Sequence, residues 1–187
     1  MSGLGRNMAD GVPTIFGTTL ETERLILRPP APEDFAAHLA RNQDAITMEH
    51  LGGVLDAAIS WQKFATSMGH WTLRGFGFFT VIEKASNKNV GSVGPQHPHG
   101  WPGQEVGWII GREFWQNGYG KEAALAAVAH AFDTLGWQDV IHVIAPQNLA
   151  SQALAKSLGS THLRTIDHLA GFGKATNQIW GQSRGAG

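Results

Sequence analysis

The chain has no cysteine among its 187 residues, which excludes disulfides, thiolate metal ligands and a cysteine nucleophile together. It also lacks an excess of either charge: Lys and Arg total 14, Asp and Glu total 15, and no run of five like charges occurs. Without a long-range basic field to gather phosphates, nucleic acid is not an expected partner. No window approaches the ~18 apolar residues of a membrane span. The opening stretch MSGLGRNMADGVPT has no apolar core of the kind a signal peptide carries. These absences predict a cytoplasmic protein with no membrane partner. Tyrosine is almost missing too, Tyr119 being the only one.

What is present is a 42% apolar content, enough to bury one substantial core at this length. Residues 1–18 read as a flexible N-terminal tail, 19–181 as one domain and 182–187 as a C-terminal tail. "LETERLILRP" alternates around Leu25 and Leu27 and is stopped by Pro29 and Pro30, the pattern of a strand. "APEDFAAHLARN" predicts a helix with Phe35 and Leu39 on its apolar face. Residues 56–69 predict a second helix with Ile59, Phe64 and Met68 inward. "GFGFFTVIEKASNKNVGSVGP" reads as a hairpin with its turn at residues 85–89. Then come a strand, "EVGWII", a helix over 119–135, an apolar strand, "VIHVIA", and a helix, "LASQALAKSLG", ended by Gly159. Strand-helix alternation implies parallel strands and the hairpin antiparallel ones, so the sheet should be mixed.

One segment calls for a reason. In "EFWQNGYGKEAALAAVAHAF" the chain discards side chains at Gly118 and Gly120 just where a helix begins. Glycines there let backbone N–H groups approach a ligand while the helix aims its unpaired donors at the same spot, an arrangement suited to an anion. Three readings compete. Gly118, Gly120 and Ala123, with Asp139 about twenty residues on, fit a dinucleotide fingerprint. Yet "GREFWQN" separates the loop from its strand, and Asp139 precedes the next strand instead of ending it. An ordinary turn ahead of a core helix is the second reading, with Leu125, Val128, Ala129, Phe132 and Leu135 as an apolar stripe.

The third is a family resemblance over residues 19–181. The loop resembles the acyl-CoA loop of GNAT superfamily N-acetyltransferases, Q/R-x-x-G-x-G/A, with Trp115 at the Q/R position. Trp-x-x-Gly-Tyr-Gly followed by Glu-Ala is similar to the branch containing the ribosomal-protein N-terminal (Rim-type) acetyltransferases. "TERLILRP" resembles that branch's first strand, "EVGWII" its fourth, and "NLASQALAKSLGS" its Asn-x-x-Ser and Leu-Gly-Phe segment, with Ser160 replacing Phe. The resemblance implies an α/β GNAT fold, a mixed six- to seven-stranded sheet flanked by helices, and acetyl-CoA as cosubstrate. It implies acetyl transfer to a primary amine, a protein or peptide N-terminus first, a polyamine or aminoglycoside otherwise. A non-catalytic acyl-CoA sensor is the alternative from a different class, and monomer or homodimer stays open.

Roles follow from the resemblance residue by residue. Glu105 corresponds to the acidic residue that begins the fourth strand and acts as general base directly or through water; a surface glutamate paired with a neighbour is the competing account. Backbone groups of Trp108, Ile109 and Ile110 would pair with the pantetheine arm. Trp115 and the loop residues Asn117, Gly118, Tyr119, Gly120 and Lys121 would hold the pyrophosphate. Asn148 would bond the pantetheine arm and Ser151 the CoA sulfur or a water; helix capping is the competing account of both. The family's leaving-group tyrosine corresponds to Ala155. No metal is expected: His97 and His99 form a His-x-His without an acidic partner beside them and read better as a substrate-lining loop. His142 reads as a core histidine, with a place near the cofactor as the alternative. Trp71, Trp101, Trp108 and Trp115 are candidates for an acceptor cleft, core packing being the alternative.

Overall fold

A computed structural model of the protein describes residues 18–169, 171 and 173–185; apart from Thr18, the expected N-terminal tail lies outside them. Eight strands form one sheet: β1 (Leu20–Glu21), β2 (Leu25–Arg28), β3 (Phe79–Glu83), β4 (Asn89–Gln96), β5 (Glu105–Ile110), β6 (Asp139–Ile144), β7 (Thr161–Ile166) and β8 (Asn177–Ser183). Helices α1 (Phe35–Gln43) and α2 (Ala57–Arg74) come between β2 and β3, α3 (Tyr119–Asp133) between β5 and β6, and α4 (Leu149–Ser157) between β6 and β7. The strand order is β1-β2-β3-β4-β5-β6-β8-β7. All neighbours are antiparallel except β5 and β6, so the sheet is mixed as expected.

Eight strands exceed the expected six to seven. β1 spans two residues, too short for any periodicity. β7, "THLRTI", is exposed along nearly its whole length, so it carries no buried alternation to read. β8 reaches Ser183, two residues into the segment read as a C-terminal tail.

The strand pleat separates two faces. On one, Thr80 donates to Asp34 ahead of α1, and Ser92 accepts from Arg41 of α1. On the other, Leu25, Leu27, Phe79, Val81, Val93 and Val106 form the main core with α3, and Phe79 packs edge-on to His130 at 5.7 Å. A second cluster, Ile144, Ala155 and Trp180 with Trp108 against it, seats α4 on the same face as α3.

Two helices bury only part of the face expected: Val128 and Phe64 are buried and Phe132 and Leu135 pack against the core, but other expected positions face solvent. In α3 the inward residues are Ala123, Ala124, Ala127, Val128 and Ala131, while Leu125 is 46% exposed and Ala129 is exposed too. The alanine face lies on glycine-bearing β4 and on β5, where small side chains allow close approach and bulk would not fit. In α2, Ser60, Phe64 and Trp71 face inward, whereas Ile59 is exposed. That helix also runs through Gly69 to Arg74 and ends on Gly75 in the left-handed region (φ 76°). Packing of Trp71 against Phe79 at 5.0 Å offsets the ~1 kcal/mol an interior glycine costs relative to alanine. α1 is amphipathic in reverse: its fully buried residues are Arg41 and Asn42.

Close backbone packing sets one stability expectation. A Cβ at Gly94 would lie 2.7 Å from Gly77 O and 2.9 Å from Phe78 Cα, both backbone atoms that cannot swing away. Gly94→Ala should therefore cost about 1–3 kcal/mol, seen as a lower urea midpoint with unchanged m-value.

Candidate active site

Among the described residues, the one parallel neighbour pair, β5 and β6, is also the seam joined at the fewest positions. β4 and β5 pair along all of β5, and β6 and β8 along all of β6, but β5 and β6 pair only at Glu105 and Ile141. Beyond that point the strands part, and side chains bridge the gap. Glu105 Oε1 accepts the backbone N–H of Val143 at 3.0 Å. On the opposite face, His142 Nδ1 bonds Val106 O at 2.6 Å. The parted edges of β5 and β6 expose backbone polar groups that a ligand can satisfy.

Glu105 is 4% exposed. Its Oε2 accepts from Gln96 Nε2 at 2.7 Å and from Trp101 Nε1 at 2.6 Å, and no cation pairs with it among the described residues. Burial pushes its carboxyl above the usual range, with the three donors partly opposing the rise. Donors hold it in place while the dry surroundings raise its proton affinity.

On the α3 and α4 face, Trp108 lies across the seam. Its indole packs against His142 with centroids 4.8 Å apart and planes tilted by 47°, and its Nε1 donates to Ser151 Oγ at 3.2 Å. Asn148 caps α4, its Oδ1 accepting from Ser151 N at 3.0 Å; the capping account of this residue is correct, and its Nδ2 makes no bond within the described residues. Ala155 is fully buried against Trp180 and Trp108.

His142 is buried, as the core reading expected, and it also lines the cavity. Its Nε2 bonds Ser160 Oγ at 2.9 Å, and burial draws its pKa down to about 4. Between about 4 and the ordinary ~6.5 the unfolded chain binds this proton and the folded chain does not. Stability should therefore rise with pH through that window and fall on acidification, by up to roughly 3 kcal/mol from this residue. The fall in melting temperature between pH 7 and pH 4 should shrink in His142→Gln.

The glycine loop leads directly into α3. Gly118 sits at φ +79° as N-cap of α3 with no side-chain cap. The first intrahelical bond is Glu122 N to Gly118 O, so the N–H groups of Tyr119, Gly120 and Lys121 have no acceptor among the described residues. Arg24 holds the loop from below: it donates to Asn117 O at 2.9 Å and to Glu122 at 2.7 Å, and lies 4.8 Å from the Tyr119 ring centroid. Thr22 adds a bond to the same Glu122 carboxylate. Trp115 donates to Ile110 O at 2.8 Å and is 44% exposed.

A cavity of about 810 Å³ lies at the seam, lined by residues from both sides of the sheet. Glu105, Trp108, Ile109, Asn148, Ser151 and His142 line it; Ile110, Trp115 and the loop residues 117–121 lie outside it. Of the four tryptophans, Trp101 and Trp108 line the cavity, whereas Trp71 is core and Trp115 is surface. His99 is exposed, and His97 engages His70 Nε2 through its backbone N–H. Among the described residues no group of three His, Cys, Asp or Glu is placed to hold a metal. Sequence reading missed Gln96, His38, Arg41 and Asn42. The last three share one face of α1 at i, i+3 and i+4, a polar stripe that could have been found by the same periodicity used for apolar ones.

Residues 24–161 match the acetyltransferase (GNAT) domain family. The chain belongs to that family. It is thus an acetyl-CoA-dependent N-acetyltransferase, and the seam between β5 and β6 is its candidate active site. The chain is 27% identical over 163 residues to the FsC-acetyl coenzyme A-N(2)-transacetylase of Aspergillus fumigatus, covering 79% of this chain and 67% of the relative. Among solved structures, an acetyltransferase from Agrobacterium tumefaciens superposes with TM-score 0.77 at 26% identity, over 96% of this chain and 99% of that one. The ribosomal-protein-S5-alanine acetyltransferase of Vibrio fischeri shares the fold, with TM-score 0.70 at 16% identity over 90% and 97% of the two chains. Rim-type enzymes are therefore among the structural neighbours of this GNAT protein. No described helix is long and apolar enough to cross a membrane.

Proposed function

We propose that this acetyltransferase transfers the acetyl group of acetyl-CoA to the α-amine of a peptide or protein N-terminus, with Glu105 as general base. The observation that carries the reading is a buried carboxylate of raised proton affinity, held by three donors in the wall of the cavity where β5 and β6 part.

The residues present suit the cosubstrate. Three orphan N–H groups at the start of α3, with Gly118 in the left-handed region, fit a pyrophosphate. Beyond the Glu105–Ile141 pair β5 has no partner strand on its β6 side, which leaves backbone groups of Trp108 to Ile110 for the pantetheine arm, Ile110 O excepted because Trp115 Nε1 occupies it, with Asn148 and Ser151 lining the same cavity. Acetyl-CoA supplies an activated thioester that a neutral amine can attack directly.

What remains for the chain is to bind, orient and move protons. An α-amine near pKa 7.7–8.0 costs ~1 kcal/mol to deprotonate at pH 7, whereas a lysine near 10.4 costs ~4.6. A single carboxylate whose affinity for protons is raised by burial suits the first better than the second. Ala155 offers no proton to the departing thiolate. A thiol near pKa 8.5 leaves tolerably without a strong acid, and Ser151, one helical turn before Ala155, is the α4 hydroxyl that lines the cavity.

The test is thiol release from acetyl-CoA against N-terminal peptides, polyamines and aminoglycosides. Peptides should be turned over with the highest kcat/KM. Faster release with spermidine or an aminoglycoside would replace this acceptor assignment by a small-molecule one.

A further inference from the structure

The cavity holds a buried cation without a counterion on its α1 and α2 side. Arg41 is 7% exposed and lines the cavity. Among the described residues no carboxylate reaches it within ion-pair distance. Its guanidinium donates to two neutral oxygens, Asn89 Oδ1 at 2.8 Å and Ser92 Oγ at 3.1 Å. A guanidinium carries five N–H donors, so most of its capacity is unused in the fold. The neighbouring Asn89 also leaves its buried Nδ2 without an acceptor.

Nearby carboxylates do not fill the need. Asp34 is committed to Arg28 through two bonds of 2.7 and 2.8 Å, and to Thr80 and the Ala31 N–H besides. Burial draws the Arg41 pKa down to about 10, while Asp34 and Glu113 act on it only from a distance; it remains charged at neutral pH. A buried charge is costly unless paired, and donors in excess of acceptors call for an anion.

The strand register gives the spacing. Ser92, which holds Arg41, and Gln96, which holds Glu105, lie on the same face of β4, paired with Ile109 and Glu105 on β5. Four residues at ~3.4 Å each put them on the order of 13 Å apart, and a ligand held between them at a hydrogen-bond distance of ~3 Å spans on the order of 10 Å.

We propose that the acceptor carries a carboxylate, bound by Arg41, on the order of 10 Å from the amine that Glu105 serves. This rests on the assignment of Glu105 above. A free α-amino acid is too short to meet both groups, whereas three extended residues at ~3.4 Å each span the distance. Two sources supply that chemistry: the C-terminus of a tripeptide-sized molecule, or an acidic side chain near the N-terminus of a longer chain. Polyamines would bring positive charge toward Arg41 and are disfavoured.

Two matched pairs separate the sources: Ser-Ala-Ala as free acid or amide, and Ser-Ala-Glu-Ala-Ala amide against its Gln counterpart. Titrating their N-acetylated forms into CoA-saturated protein reads the site without turnover. The carboxylate member of one pair should bind at least about tenfold tighter, a step of ~1.4 kcal/mol. Arg41→Gln should erase the preference with CoA affinity unchanged, and the pair that responds names the source. Equal affinity within both pairs of the wild type overturns the proposal without recourse to any variant, as does a preference that survives Arg41→Gln. The same peptides with free amines are then assayed for thiol release. Carboxylate-dependent binding without release keeps the anion site and removes the peptide-amine reading; release at equal kcat/KM from acid and neutral partners does the reverse.

Discussion

Glu105→Gln should lower kcat by about 10²- to 10⁴-fold while leaving acetyl-CoA affinity within a few-fold of wild type, the size expected when a positioned base is lost. The residue lies in a dry pocket where burial raises its proton affinity, so in the wild type kcat/KM should climb with pH as the carboxylate ionises above the ordinary range and the amine loses its proton. The variant should lose the lower limb of that profile. A structural cost accompanies the change. The carboxylate accepts on both oxygens, from Val143 N on one and from Gln96 and Trp101 on the other. A glutamine places an N–H₂ against donors on one side, worth about 1–3 kcal/mol. Rates are therefore to be measured well below the variant's melting temperature. Unchanged turnover would remove Glu105 from the chemistry.

Gly118→Val should weaken acetyl-CoA binding by about 10- to 100-fold, the equivalent of one charge-assisted hydrogen bond at ~1.5–3 kcal/mol. Gly118 occupies φ +79°, a region in which a β-branched residue is strained. A Cβ there would also lie 3.3 Å from the Arg24 guanidinium that fixes the loop. Relief of that strain rotates the peptide and re-aims the N–H groups at the start of α3. kcat at saturating cosubstrate should change little, because the loop lies outside the cavity that holds Glu105. Unchanged affinity measured by calorimetry would mean that the pyrophosphate sits elsewhere.

Elements whose side chains report directly on burial were legible before any coordinates. β2, the β3–β4 hairpin, β5, β6 and α4 fall where apolar period and turn residues put them, and the glycine loop stands at the N-terminus of α3 as its spacing implied. The failures fall where something other than side-chain hydrophobicity sets the burial: packing distance, a polar cavity, or exposure of a whole strand. α3 buries alanines and leaves Leu125 in solvent because it must lie close to the sheet. α1 turns Arg41 and Asn42 inward because its inner face borders a polar cavity. Edge strand β7 is exposed on both faces and so has no pattern to read. In the site, Glu105, Trp108 and Ser151 do converge, since strand and helix registers carry them there. The donors around Glu105 come from three other places in the chain, and a linear reading cannot bring those together.

The central claim is that cosubstrate and amine meet at the opening between β5 and β6. It is tested most directly by titrating acetyl-CoA into wild type and Glu105→Gln, then adding an N-terminal peptide to the same samples and following thiol release. The account predicts comparable heats of binding for both proteins, with acceptor-dependent release from the wild type alone. Absence of binding, or equal release from the variant, would contradict it.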